Sequence, residues 1–149
     1  MATADHVTNP TEDGEELREQ WLARLSGLVE TIRDWAQDLD WSTRRIEKKM
    51  KDSQIGAYEA PALILQKETA RVLLEPIARS APGAEGVVDL YLMPAFDDVA
   101  TLYFYDGGWQ LHHASPGSSA IATAREAEHR PLSKEAFRSV LEAMVRDAA

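Results

Sequence analysis

The chain is predicted to fold as an α+β domain, an antiparallel β-meander of three to five strands packed against a long N-terminal helix and a C-terminal helix. Three observations carry that prediction. Leu17, Trp21, Leu25, Leu28, Ile32, Trp35 and Leu39 recur at spacings of four and three, the period of a helix with one apolar stripe. Segments Val87-Val88-Asp89-Leu90-Tyr91-Leu92 and Leu102-Tyr103-Phe104-Tyr105 alternate as strands do, sending successive side chains to opposite faces. Phe137, Val140, Leu141, Met144 and Ala148 return to the helical period near the C-terminus.

Residues 1–10 are small and polar without periodicity, and a flexible tail is expected there, with a single domain from 11 to 149. The first helix follows, with Glu12, Asp13, Glu15 and Glu16 near its start, where the helix dipole favours negative charge. From Trp21 its spacing also fits a coiled-coil seam, which would permit a homo-oligomer through this helix. That run is under three heptads, so packing on a sheet is preferred. Asp40 and Trp41 mark a corner. Ser42 or Thr43 is then placed to cap a second, short helix, with Ile46 and Met50 one turn apart on its apolar side. Asp52 to Pro61 reads as a connector.

Five candidate strands come next. Ala62–Gln66 and Arg71–Ile77 flank Lys67-Glu68-Thr69-Ala70, which has hairpin length but lacks the usual glycine or asparagine. A helix through Leu63 to Ala78 therefore competes with strands there, because Gln66, Lys67, Glu68, Ala70 and Arg71 are good helix formers, although Pro76 limits it. Residues 80–86 form a loop. Val87–Met93, Val99–Tyr105 and Trp109–His113 are three strands joined by Pro94-Ala95-Phe96-Asp97-Asp98 and by Asp106-Gly107-Gly108, the latter suited to a tight hairpin turn. A polar loop spans Ala114 to Arg130. Ser133 caps the last helix, with Leu132 and Phe137 spaced as a hydrophobic staple.

At 149 residues the chain is long enough to bury a real core without metal or disulfide support. It has no cysteine, which excludes thiolate nucleophiles and cysteine-based zinc or iron–sulfur sites. With no signal-like start and no apolar run near the ~20 residues that cross a bilayer, a soluble protein of the cytoplasm, without membrane association, is expected. The net charge is −9, but Arg44 to Lys51 alone carries +4 and the remainder −13. Such an acidic body disfavours general attraction to nucleic acid.

Alternation assigns Val88, Leu90 and Leu92, with Ala100, Leu102 and Phe104, to a core face. The opposite face carries Asp89, Tyr91 and Met93, then Thr101, Tyr103 and Tyr105, then Gln110 and His112. Tyrosine combines a large apolar area with a hydroxyl at modest entropy cost, which suits protein recognition. Tyr91, Tyr103, Tyr105, His112 and Asp89 are thus the candidate partner-binding residues. Arg44, Arg45, Lys48, Lys49 and Lys51 form a second candidate surface, able to meet an acidic partner or phosphate. Histidines 112 and 113, adjacent on a strand, point to opposite faces and cannot chelate one ion, and no metal or cofactor motif is present. Asp97-Asp98 reads as a solvated turn former. Ser115, Ser118 and Ser119 lie near the histidines but lack the Gly-x-Ser-x-Gly elbow of a hydrolase.

The expected function is therefore a non-enzymatic protein-binding or adaptor protein acting through the tyrosine face or the basic helix. A small-molecule-binding protein or hydrolytic enzyme with a pocket on the sheet is the alternative, and nucleic-acid binding through Arg44 to Lys51 a further one.

Overall fold

The computed structural model describes residues 10–94, 98–113 and 128–148. Helix α1 (Pro10–Asp38) leads into seven strands, β1 (Ser42–Asp52), β2 (Gly56–Lys67), β3 (Ala70–Ala78), β4 (Val87–Leu92), β5 (Val99–Tyr105), β6 (Gly108–His113) and β7 (Glu128–Pro131), and helix α2 (Lys134–Ala148) closes the chain. All seven strands form one antiparallel sheet in chain order, so the α+β meander between two helices is as predicted, with more strands.

Two added strands account for the difference. The short second helix does not form: residues 42–52 make β1, paired with β2 along eleven register positions from Ser42↔Gln66 to Asp52↔Gly56. The spacing of Ile46 and Met50 does not distinguish the two, because four residues are one helical turn and also an even number of strand steps. Long-range pairing with the apolar run of β2 then outweighs local helix propensity. The predicted connector, 52–61, is correspondingly only a tight turn followed by strand. Asp52 Oδ1 accepts the amides of Gln54 (2.7 Å) and Ile55 (3.1 Å), and Gly56 takes a φ of 76°. The second addition, β7, occupies the end of the stretch expected to be loop and pairs with β6 from Gln110↔Pro131 to His113↔Glu128.

Residues 62–77 are strands and not a helix. The β2–β3 hairpin turns over Glu68 and Thr69, and with no glycine available Glu68 itself adopts a φ of 55°. Left-handed backbone costs a non-glycine residue about 1–2 kcal/mol. The ladder Leu63↔Leu74 to Lys67↔Ala70 offsets it. Pro61 and Pro76 both lie outside that ladder, so neither leaves a gap in it. At the β5–β6 turn, Asp106 and Gly107 take φ values of 53° and 76°, the pair of positive angles a two-residue hairpin favours.

The α1 stripe packs on the sheet, with Trp21, Leu25, Leu28 and Ile32 buried and Leu17, Trp35 and Leu39 partly so. The sheet thus consumes the seam a coiled coil would use. From α2, Phe137, Val140, Leu141 and Met144 join the same core, together with Leu63, Leu65, Val72, Leu74, Val88, Leu90, Leu102 and Leu111. The Ser133 hydroxyl caps α2, accepting the Ala136 amide at 3.1 Å. Beyond Leu63 the β1–β2 hairpin projects as a two-stranded ribbon, and such ribbons twist strongly. Its tip curls over the start of α1: Trp21 Nε1 donates to Tyr58 OH at 2.9 Å, and Arg79 from the β3–β4 connection binds Asp52 at 3.2 Å. No helix among the described residues is long and apolar enough to cross a membrane.

Candidate functional site

Both helices share one core with one sheet face, so the chemistry on the other face is set by strand register. There the pairings Glu75↔Asp89, Asp89↔Thr101, Thr101↔His112 and His112↔His129 place one residue from each of five successive strands in a single transverse row. Directly opposed residues on antiparallel strands rise from the same face. Tyr91, two residues beyond Asp89, and Tyr103 and Tyr105, beyond Thr101, flank the row. Asp89, Tyr91, Tyr103, Tyr105 and His112 are thereby brought together on one face, as alternation predicts.

Hydrogen bonds tie much of this face down. Lys48 Nζ lies 2.8 Å from Glu75 Oε2 and donates to the Pro76 carbonyl at 2.9 Å. That carbonyl lies past the end of the β2–β3 ladder. To reach it from the edge strand, the lysine stem crosses β2, whose residues on that side are the alanines Ala60 and Ala62. Tyr91 OH donates to Glu75 Oε1 at 2.7 Å, and Thr101 Oγ1 to Asp89 Oδ1 at 3.0 Å. The His112 ring sits edge-on to Tyr103, with centroids 4.8 Å apart, and stacks on His129 at 5.1 Å. Tyr91 is buried, while Tyr103, Tyr105 and His112 keep intermediate exposure.

The two carboxyls at the start of the row differ. Burial pushes Glu75 upward, but its bonds from Lys48 and Tyr91 outweigh it and hold the group below the ordinary glutamate value. Burial raises Asp89 and the neighbouring Glu75 charge adds to it, against the Thr101 hydrogen bond, so Asp89 holds its proton more tightly than usual. Burial, then the nearby His129, lower His112 and favour the neutral imidazole.

The basic residues do not form one patch. In β1 the strand period sends Arg44 and Lys48 to one side and Arg45, Lys49 and Lys51 to the other. Arg45 pairs with Glu47 at 3.2 Å and Lys48 with Glu75. β1 is also an edge of the sheet, where lysine and arginine commonly deter edge-to-edge pairing.

Asp98 departs from its reading as a solvated turn former. It is fully buried, its Oδ1 lies 2.9 Å from His113 Nε2, and it also meets the Asp147 carboxylate of α2. Burial first, and then Asp147, push its pKa up to about 6 against the opposing pull of His113. Histidines 112 and 113 do part to opposite faces, as predicted. Asp97 and Ser115, Ser118 and Ser119 fall outside the described residues. Cavities of about 270 Å³ beside His113 and about 480 Å³ between Trp41, the β2–β3 turn and α2 lie on the helix-bearing side. Among the described residues, no three or more His, Cys, Asp or Glu side chains are grouped to hold a metal ion.

Sequence reasoning missed Glu75, His129 and the Asp98–His113 pair. Glu75 lies where helix and strand propensities compete and His129 in a polar stretch without alternation, and nothing local marks the burial of Asp98. Comparison of the chain with family models, curated proteins and solved structures finds no match.

Proposed function

We propose that this chain is a non-enzymatic protein-binding or adaptor module that recognises another protein through the sheet face bearing Asp89, Tyr91, Tyr103, Tyr105 and His112. The observation that carries this reading is the position of those residues together on the face opposite both helices, with Tyr103 and Tyr105 partly exposed. Tyrosines held on strands lose little entropy on contact, and a polar row that is already hydrogen-bonded presents a fixed pattern to a partner. Quantitative pull-down with the wild type and with Tyr103→Ala/Tyr105→Ala tests it, using Arg138→Ala on α2 as a surface control. A partner lost from the double variant and kept by the control is the expected result. Equal recovery by the wild type and the folded double variant refutes the assignment.

One observation favours a second reading, a ligand-binding or hydrolytic site on the same face. Glu75 and Asp89 are directly opposed carboxyls displaced in opposite directions, an arrangement that suits a base and an acid. In that case Asp89→Asn abolishes turnover of a hydrolysable substrate while leaving partner capture intact.

A further inference from the structure

We infer that His112 and His129 form a two-histidine chelate for one divalent transition-metal ion of the class imidazole nitrogen prefers, Zn²⁺, Ni²⁺ or Cu²⁺. The adjacency of His112 and His113 in the sequence is a false lead, because those two rings part to opposite faces. The sheet supplies a different partner. His112 and His129 are directly opposed in the β6–β7 ladder, so their side chains rise side by side.

The spacing of the rings fits one ion. An imidazole nitrogen binds Zn²⁺ at about 2.0–2.1 Å and lies about 1.1 Å from its ring centre, which puts each centroid about 3.2 Å from the metal. Centroids 5.1 Å apart at that radius subtend about 106° at the ion, close to the roughly 109° of tetrahedral coordination. The rings are stacked, within 22° of parallel, so their in-plane nitrogens run side by side as they stand; rotation about χ2, a broad torsion that leaves each centroid nearly in place, turns one nitrogen of each ring to a shared point without moving either strand.

A second, independent observation is a vacant coordinating atom. His112 Nε2 is buried and has no hydrogen-bond partner among the described residues. Buried polar atoms are nearly always partnered, and an ion held jointly with His129 would supply the missing contact. With two protein ligands, water completes the coordination shell and at least two positions stay open to an incoming group. The ion site stands whether or not the face meets a partner protein.

Titrating the full chain with ZnSO₄ or NiCl₂ at pH 7.5, by calorimetry and by NMR of the histidine rings, tests this. One ion per chain is expected, with the largest shifts at His112 and His129, no competition from excess Mg²⁺, and loss of binding at pH 5. His129→Gln should weaken binding at least tenfold, and so should His112→Gln, whereas His6→Gln should not. His129 is exposed, so its variant keeps the fold and decides the matter even if His112→Gln does not fold. Wild-type affinity in His129→Gln, or shifts centred on His6 or His113, overturns the site.

Discussion

Replacing Asp98 by asparagine should stabilise the protein at neutral pH and above and leave it nearly unchanged near pH 4. Asp98 is fully buried, and its pKa rises from 3.8 to about 6 because burial and the Asp147 carboxylate outweigh His113. The folded state then holds the Asp98 proton more tightly than the unfolded chain. Between pH 3.8 and about 6 it binds more protons, so the contribution of Asp98 to stability falls as pH rises through that window and stays low above it. The rise from 3.8 to about 6 corresponds to about 3 kcal/mol. Asparagine carries no charge at any pH in this range, and its amide can donate to Asp147 or to His113. Urea unfolding at half-unit steps from pH 4 to pH 8 gives the difference between variant and wild type, in which titrating groups that do not touch Asp98 cancel and only Asp98 with its neighbours His113 and Asp147 remains. That difference should grow by up to about 3 kcal/mol in favour of Asp98→Asn as pH rises from 4 to 7. A difference that is flat with pH, or that moves against the variant, refutes the claim that Asp98 is held protonated by its surroundings.

Two further outcomes probe other parts of the molecule. A Cβ added at Gly86 would meet the Trp21 ring at 2.7 Å, and that ring is buried with its indole N–H tied to Tyr58, so Gly86→Ala should cost about 1–3 kcal/mol in urea unfolding. A loss under about 0.5 kcal/mol would mean that Trp21 moves aside freely. Lys48→Met removes the partly buried pair with Glu75, so the Glu75 pKa, measured by NMR, should rise, and stability at pH 7 should drop by about 1 kcal/mol. Because Glu75 lies below its ordinary value of 4.5, the contribution of the pair is complete above that pH and is lost as pH falls, so the drop should shrink toward pH 3. An equal drop at both pH values would assign the role of Lys48 to its bond with the Pro76 carbonyl.

What the sequence by itself determined was periodicity and therefore facing. The stripe of α1, the alternation in β4 to β6, the parting of His112 and His113, the Asp106-Gly107 turn and the Ser133 cap are all local, because each depends on side-chain spacing or on one backbone angle within a few residues. The tertiary structure decided what lies beside what. Residues 42–52 became a strand because β2 pairs with them at eleven positions, although the four-residue spacing of Ile46 and Met50 suits a helix equally well. Asp98 became buried because the start of β5, the end of β6 and the last turns of α2 converge on it. The transverse row from Glu75 to His129 exists only through register, since it joins residues spread over 55 positions of the chain into one line across five strands. Register arises from the summed burial of the core face, with Leu74, Leu90, Leu102 and Leu111 pinning their strands against the helices, and a slip of one residue would turn every member of the row toward the core.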